Sequence, residues 1–504
     1  MIERENLNLS RYSTRSKSIN LVFVFIGLLL SVIIGLAISG VTDRKYLLLS
    51  VLGLIAFAVT FARLDLGVAG MVLALYTQTH FVLGERYGIT DVVQGLIALL
   101  LAAMVTRWVV YPPEVPEGWM RPLFLAGFYC MVCLASVMYA VTPSVAMPIA
   151  IDTLKSGIIA MIIAVNLRTR NSFRLAIWTL LAAGIFLGTL SVIQFASGTY
   201  GNDYGGYAEA SFSNISGETD DYRLGGPVGD PNYYAQMMLV LVPLALDRLW
   251  HERQRILRVL AAWALGVCSF TVLLTYSRGG FISMMIVIVA MLFVFHRGQL
   301  RYVLVAAVFA LLLLNFLPER FTQRIGTLAE LVPGTSANSG ASQDSSFRGR
   351  TSEMLVAFRM FADYPIFGAG LGNYPLLYQQ YAQRVGLEFR AEVRQAHSLY
   401  LEIASETGLL GIFSFGVLVW GMFRAIWNSY QTLIRKGLVS TANMVAAHTF
   451  GMLGFLIAAS FIHAVFFRNF WVIAGIAFAV PRMAAIEIED ADKIRHKLLQ
   501  RDDF

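Results

Sequence analysis

The amino-acid sequence predicts an all-α polytopic membrane protein. Of its 504 residues, 57% are hydrophobic and only 14% are charged, whereas a soluble domain carries about 25% charged residues. Apolar runs of about 20 residues recur along the whole chain, and each is long enough to cross a bilayer core of roughly 30 Å. The composition therefore excludes a soluble globular protein. The lipid bilayer is the first expected partner, and no nucleic-acid partner is expected.

The length criterion predicts about fourteen transmembrane helices. The first apolar run, residues 20–40, is longer than the apolar region of a signal peptide and has no convincing small-residue cleavage site, so we interpret it as a retained helix. The apolar runs begin near Asn20, Tyr46, Leu66, Asp91, Leu123, Val145, Phe173, Pro231, Ile256, Gly279, Tyr302, Ser398, Thr441 and Phe470.

The basic residues predict the orientation of these helices. Lys and Arg concentrate in the N-terminal segment, in every second connection and in the C-terminal tail. Because short basic loops stay in the cytoplasm, both termini are expected there. The predicted organisation is a cytoplasmic tail at 1–19, a membrane domain at 20–487 and a second cytoplasmic tail at 488–504. The expected location is the inner membrane of a bacterium.

Two long connections, 197–229 and 318–396, fall on the opposite, outer face, which is the periplasm in a Gram-negative cell. Connections of this length are usually functional or disordered. The second begins with a stretch rich in Gly, Ser and Asn that is typical of a mobile tether. Its later part is predicted to contain a helix lying in the membrane interface. The apolar residues that share one face of that helix are Met354, Leu355, Phe358 and Phe361.

The periplasmic segments carry many arginines and almost no lysines. A guanidinium group binds phosphate oxygens through a planar, bidentate fork, whereas an ammonium group acts as a point charge. This choice of residue indicates an anionic, phosphate-bearing ligand. The arginines are Arg223, Arg278, Arg320, Arg324, Arg348, Arg350, Arg359, Arg384, Arg390, Arg394 and Arg468.

Two short motifs place arginines at the mouths of predicted helices. Arg278 lies in Tyr276–Gly280, between two closely spaced spans, where an ionisable group tends to line a cavity. The two glycines of that motif permit a tight turn and close approach of a ligand. A snorkelling arginine is the alternative. Arg223 precedes Asp230, which is predicted to cap the helix that opens at Pro231.

The third candidate is a histidine at the outer mouth of a span. In a helix, Arg390, Arg394 and His397 would share one face. Nearby guanidinium groups lower the pKa of a histidine and keep its ring neutral, as a general base requires. A purely interfacial histidine is the alternative, in which case Glu402 and Glu406 are the next candidates for the base.

The remaining charged residues argue against a metal site. Asp344 and Glu353 each stand alone on the outer face, so no carboxylate cluster is expected, and neither a metal nor another cofactor is predicted. Within one span, Asp152 and Lys155 are three residues apart, a spacing that predicts an internal ion pair.

Together these elements resemble the O-antigen ligase and O-antigen polymerase superfamily. The resemblance rests on an ordered set of motifs rather than on any one of them: an arginine before a capped helix, a Ser-Arg-Gly turn, an arginine in a long loop, a glycine-rich turn and a final histidine motif. In this sequence they are Arg223–Asn232, Ser277–Gly280, Arg348 or Arg350, Pro365–Gly372 and His397–Gly408.

The resemblance implies a GT-C-like, metal-independent, inverting glycosyltransferase that uses undecaprenyl-pyrophosphate-linked glycans. His397 would accept the proton of the acceptor hydroxyl, and arginines would neutralise the departing pyrophosphate. The expected catalytic residues are His397, Arg278 and Arg348. The expected residues that bind the pyrophosphate or the glycan are Arg223, Arg350, Arg390 and Arg394.

The two enzymatic alternatives differ in the acceptor that receives the glycan. A polymerase would extend a second carrier-linked glycan, whereas a ligase would use lipid A–core or a protein, and fold-level analogy slightly favours the polymerase. A non-enzymatic flippase or transporter of lipid-linked glycans is the third alternative. It should line a path across the membrane with charge, whereas these arginines gather at one face.

The predicted orientation is testable by labelling. Ser342→Cys should react with a membrane-impermeant maleimide in intact spheroplasts, because 318–396 is expected outside. Lys493→Cys, in the expected cytoplasmic tail, should react only after lysis. The reverse pattern would contradict the orientation.

Overall fold

The computed structural model of the chain describes residues 53, 55–110, 120–216, 219–295, 345–385, 394–463 and 468–502. The predicted helices that begin near Asn20 and Tyr302, and with them Arg390, lie outside the described residues.

Helices form nearly all of the regular structure in these ranges, with a single two-stranded hairpin between them. In chain order the elements are α1 (Leu64–Tyr76), α2 (Thr79–Tyr87), α3 (Val92–Val110), α4 (Arg121–Ser136), α5 (Pro143–Asn166), α6 (Arg170–Ser197), β1 (Glu209–Ser216), β2 (Thr219–Gly226), α7 (Pro231–His251), α8 (Arg255–Leu274), α9 (Arg278–Phe295), α10 (Ser345–Asp363), α11 (Tyr374–Arg384), α12 (Leu399–Arg435), α13 (Val439–Ala458) and α14 (Arg468–Asp502).

The predicted all-α architecture is confirmed and is compatible with a polytopic membrane protein, but the number of spans is not confirmed. By length and composition, 8 helices of the described chain are suited to cross a membrane, or up to 9 if α1 and α2 form one span bent by 61°. The predicted count of about fourteen therefore has no confirmation in the described ranges. The helix α14 also continues past 487, the predicted end of the membrane domain, without a break.

The described residues fall into two compact units. The smaller contains residues up to 68 and residues 98–110. Within it, Arg63 pairs with Asp65 at 2.7 Å, and the rings of Phe57 and Phe61 are stacked. The larger unit contains residues 69–97 and all described residues from 120 onwards.

The core of the larger unit forms around two helices. α7 is buried along most of its length and packs against α8 and α13. The first half of α14 is also buried and packs against α5. Glycines permit the closest approaches, since a Cβ at Gly451 would lie 2.6 Å from the carbonyl oxygen of Val240, and one at Gly475 would lie 2.9 Å from that of Ala160.

The predicted 197–229 connection contains a β-hairpin. β1 and β2 pair antiparallel, with Phe212 opposite Tyr222 and Ser211 opposite Arg223. Because side chains alternate between the faces of a strand, Tyr222 and Arg223 point in opposite directions. Arg223 is buried, and Phe212 on the other face is exposed. We call the end of the unit that carries this hairpin the hairpin end.

A broken helix lies beside the glycine-rich turn at the same end. Within α12, Gly408 has φ 65° and ψ −159°, a combination that is essentially restricted to glycine. The break removes two helical hydrogen bonds, and the turn 365–372 replaces them. Ala369 and Gly370 donate to the carbonyls of residues 405 and 406, and the amides of 409 and 410 donate to the carbonyls of 365 and 366, at 2.8–3.2 Å.

These bonds matter because a buried backbone group without a partner is costly, most of all in a membrane. The glycines are required by space as well as by conformation, since a Cβ at Gly368 would collide with the backbone of Glu406 and one at Gly408 with that of Ile366. The carboxylate of Glu406 accepts a further bond from the amide of Tyr374 at 3.2 Å. Glu406 therefore has a structural role.

Replacement of Gly408 should destabilise the protein. Gly408→Ala forces a strained backbone and a collision, so we expect a loss of roughly 1–3 kcal/mol or more in the free energy of unfolding. Gly416→Ala is the matched control, because it lies in the same helix and its Cβ would meet nothing within 4 Å. Thermal denaturation of the two variants in detergent compares them, and equal melting temperatures would contradict the role of the break.

Candidate active site at the hairpin end

His397 lies in a short segment that is not helical. Residues 394–398 are irregular, and α12 begins only at Leu399. The helix in which Arg394 and His397 would share a face is therefore not present at residues 394–398. His397 instead has φ 46°, a left-handed conformation that is uncommon for residues other than glycine and that concentrates at functional sites.

The ring of His397 is held between a carboxylate and a second histidine. Its Nε2 lies 3.5 Å from Oε2 of Glu353, and its ring meets that of His463 edge-on at 5.4 Å between centroids. Its Nδ1 is buried and has no hydrogen-bond partner among the described residues. Glu353 thus faces one nitrogen of the ring, and the other nitrogen forms no hydrogen bond within the described part of the chain.

Burial is the main reason why the pKa of His397 falls to about 3. The positive charge of Arg350, the neighbouring His463 and Arg394 lower it further, and Asp230 opposes them. The sequence predicted a histidine kept neutral by nearby arginines, and the direction is as predicted. The largest cause, however, is removal from water, because the charged imidazolium loses its hydration.

Glu353 joins two predicted site residues and was missed as a member of the site. Arg394 lies 3.2 Å from Oε1 of Glu353, while His397 faces its other oxygen. The description of Glu353 as a carboxylate standing alone is therefore wrong. It lies on α10, 44 residues before His397, so nothing local in the sequence connects the two. Its side chain is almost fully buried.

Arg223 reaches the site from β2. Its Nε donates to the carbonyl oxygen of Thr275 at 3.0 Å, and its Nη2 to Oδ1 of Asn232 at 3.3 Å. Burial lowers the pKa of Arg223 to about 10, and the charges of Arg350 and Arg278 lower it further. Because the charges of Arg350 and Arg278 both act on the guanidinium of Arg223, these three arginines form one electrostatic group.

Asp230 caps α7, as predicted. Its carboxylate accepts from the backbone amides of Asn232 at 2.7 Å and Tyr233 at 3.0 Å. Asp230 also raises the pKa of Arg223. Asp230 is thus a negative charge beside the arginine group, and its Oδ1 is held in place by two backbone amides at the start of α7.

Arg278 begins α9 after a strained turn. Tyr276 has φ 52°, and the hydroxyl of Ser277 accepts from the amide of Gly280 at 3.3 Å, which caps the helix. The two glycines that follow are helical and tightly packed, since Cβ atoms there would lie 3.0 Å from Phe461 and 2.7 Å from Ala235. The two glycines therefore permit close packing of helices, whereas the sequence had predicted that they let a ligand approach the backbone.

Arg348 and Arg350 both lie on α10, which confirms a helix in the predicted long loop. Arg350 belongs to the electrostatic group of Arg223 and His397. The side chain of Arg348 lies outside the described residues. On the same helix Leu355 and Phe358 are exposed, as expected for a helix in a membrane interface.

His463 was also missed by the sequence analysis. It follows the 3₁₀ turn Ala459–Phe461 at the end of α13, and burial lowers its pKa. The sequence feature that could have identified His463 is its position at the end of an apolar run, on the same predicted face as His397. Among the described residues no three His, Cys, Asp or Glu side chains form a group that could hold a metal ion. Metal independence stays a prediction.

The fold and this site define a multi-pass α-helical membrane protein with a buried histidine inside a group of arginines at one end. Residues 261–416 match the family model described as O-antigen ligase. This match confirms the resemblance to the O-antigen ligase and polymerase superfamily, and the matched range includes Arg278, Arg350, Arg394 and His397. No curated protein matches the chain.

The lowered pKa of His397 predicts an unusual pH profile. Since kcat/KM reports the free enzyme, it should not fall between about pH 7 and about pH 5, because His397 stays neutral down to about pH 3. A bound anion offsets the arginine charges and raises the pKa, so the acid limb of kcat should lie at higher pH. A limb of kcat/KM near the ordinary histidine pKa would contradict the burial of His397.

Proposed function

We propose that this protein transfers a glycan from a pyrophosphate-linked lipid carrier to a sugar hydroxyl, with the reaction at the hairpin end. The observation that carries the proposal is the neutral, buried His397 within the arginine group of Arg223, Arg278 and Arg350. An O-antigen ligase is a glycosyl-transferring enzyme, and the family match supports that class for this chain.

The arginine group supports the donor side of the proposal. A diphosphate leaving group carries its charge on several oxygens, and guanidinium forks bind such oxygens in pairs. Both described bonds of Arg223 go to neutral oxygens of Thr275 and Asn232, so its orientation is fixed without neutralising its charge. Fixed cations of this kind stabilise negative charge as it develops on the leaving oxygen.

His397 supports the acceptor side. In this proposal the neutral ring carries its proton on Nε2, oriented towards Glu353, and Nδ1 accepts the proton of the attacking hydroxyl. The new bond forms between that hydroxyl oxygen and the anomeric carbon while the bond to the pyrophosphate breaks, with inversion. Glu353 is a positioning residue in this scheme, since it would fix the tautomer and also holds Arg394.

Binding of the donor would make His397 a better base. With a pKa of about 3 the ring is a weak proton acceptor in the free protein, and a general base works best near the operating pH. A pyrophosphate beside Arg350 and Arg394 would cancel part of the positive field and raise that pKa. The base would then become effective only when the donor is bound.

The acceptor distinguishes the two forms of the proposal. A polymerase extends a second carrier-linked glycan, the form slightly favoured by analogy, whereas a ligase, the activity named in the description of the matching family, would use lipid A–core or a protein. A flippase is disfavoured, because the arginines of the site gather at one end rather than along a path through the membrane.

The function is tested with purified protein and a carrier-linked oligosaccharide. Chain growth with this substrate alone indicates a polymerase, and product formed only after addition of lipid A–core indicates a ligase. His397→Ala should lower turnover by about 10²-fold or more, the usual contribution of a general base, while carrier-lipid binding remains.

Three results would contradict this proposal. Absence of product with either acceptor would argue against transfer, and near-normal turnover of His397→Ala would make His397 an interfacial residue. Activity that is lost in EDTA and restored by Mg²⁺ or Mn²⁺ would contradict the metal-independent form, in which the guanidinium groups alone neutralise the pyrophosphate.

Arg278→Lys separates charge from shape. The variant keeps the positive charge but loses the planar fork, so turnover should fall strongly although the protein folds. Arg359→Lys is the matched control, since Arg359 is exposed on α10 and pairs weakly with Asp363 at 3.8 Å. Equal activities of the two variants would mean that Arg278 is a snorkelling arginine that does not contact the pyrophosphate.

A further inference from the structure

A large cavity adjoins the histidine segment, and Arg223, Arg278 and Arg350 do not line it. Its volume is ≈ 890 Å³, and its walls come from α2, α4, α5, α11, α12 and the first turn of α14. Gln395 and Leu399 line it, and each is two residues from His397 in the sequence. The cavity and the candidate active site therefore meet at this segment.

The cavity contains an ion group that the proposed mechanism does not use. Asp152 bonds to Lys155 at 3.4 Å, as the sequence predicted, and also to Arg468 at 2.9 Å. Asp152 lies nine residues into α5, roughly 14 Å along the helix axis from its start at the hairpin end. Its side chain is nevertheless 54% exposed. Charges at such depth occur where they line a polar cavity or pathway.

Two buried side-chain nitrogens in the walls have no hydrogen-bond partner among the described residues. These are Nε of Arg468 and Nδ1 of His80, and both residues line the cavity. Gln78 stands at the bend between α1 and α2 with φ 57° and donates to the side-chain oxygen of Asn469 at 2.9 Å. Buried polar groups are normally satisfied, so unsatisfied ones indicate a ligand with hydrogen-bonding oxygens.

The charges of the cavity do not suit a phosphate. Two carboxylates, Asp152 and Glu402, line it together with two permanent cations, Lys155 and Arg468, while the carboxyl group of Glu406 is engaged by the backbone amide of Tyr374. The arginine group, in contrast, gathers three cations beside one capping carboxylate. An anionic ligand would be repelled by the carboxylates, whereas a neutral hydroxyl can donate to them and accept from the cations.

The remaining walls are aromatic and aliphatic. Phe81, Tyr129 and Trp471 line the cavity with Met147 and Ile149. A sugar ring has apolar C–H faces and a polar rim of hydroxyls, so it fits a site that combines apolar surfaces with a few placed polar groups. A simple acyl chain would leave the charged groups without partners.

We infer that this cavity binds the acceptor as an uncharged, hydroxyl-bearing sugar with no phosphate near its reacting end. The inference rests on the proposed function and deepens it, because it names the acceptor chemistry. His397 stands at the boundary between a cationic side for the donor pyrophosphate and a charge-balanced side for the acceptor sugar.

The test measures protection of a cysteine in the cavity wall. Met147→Cys in the full-length protein is labelled with a maleimide, since the three native cysteines are buried. The probes are the repeat-unit oligosaccharide cleaved from its carrier, undecaprenyl pyrophosphate without glycan, and inorganic pyrophosphate. Met138→Cys is the control, because Met138 is 81% exposed and does not line the cavity.

The free oligosaccharide should slow labelling of Met147→Cys in a saturable way and leave Met138→Cys unchanged. Protection by the glycan-free carrier or by pyrophosphate to the same degree would overturn the inference, as would a lack of protection by every probe. Failure of the proposed function gives a different result: the oligosaccharide would protect Met147→Cys, but no transfer product would form. In that case the cavity would still be a sugar-binding site.

A kinetic comparison tests the same assignment without a cysteine. Asp152→Asn should raise the KM for the acceptor by about 10-fold, the loss expected for one hydrogen bond to a charged group, with the KM for the donor unchanged. Asp492→Asn is the matched control, since Asp492 forms a comparable ion pair with Lys436 at 2.7 Å far from the cavity. Equal changes in both KM values, or none, would overturn the assignment.

Discussion

The exchange of hydrogen bonds at the break in α12 is the constraint on which the candidate site depends. Two helical bonds are given up at Gly408, and the turn 365–372 supplies four in their place. Because α10 ends at Asp363, just before that turn, the exchange fixes α10 against the start of α12. Glu353 on α10 therefore meets His397 and Arg394, and a helix interrupted in the membrane becomes the frame of a polar site.

The site combines two environments that oppose each other electrostatically. On one side Arg223, Arg278 and Arg350 concentrate positive charge, and burial depresses the pKa of both Arg223 and His397. On the other side the cavity balances carboxylates against cations. The proposed reaction, in which a neutral hydroxyl displaces a charged pyrophosphate from the anomeric carbon, is served by this division, because each of the two groups meets side chains of the appropriate charge.

Several features could be predicted from the sequence because their signals are local. Hydropathy predicts the helices, Asp230 next to Pro231 predicts a cap, and the spacing of Asp152 and Lys155 predicts an ion pair; the cap and the pair are present at the expected positions. The helix that would have placed Arg394 and His397 on one face is absent at residues 394–398. Spacing alone could not reveal that the residues before Leu399 leave the helix for a left-handed turn.

The sequence by itself determined the features that depend on composition and local motifs. These are an all-α membrane protein, arginines rather than lysines in the segments expected at one face, and an ordered set of motifs that resembles one family. Only the tertiary structure decided which side chains and backbone groups surround each functional residue. Glu353 and His463 join His397 from positions 44 and 66 residues away, and Glu406 serves a backbone amide rather than a reaction. Long-range pairings of this kind depend on chain closure and helix packing, which no local pattern encodes.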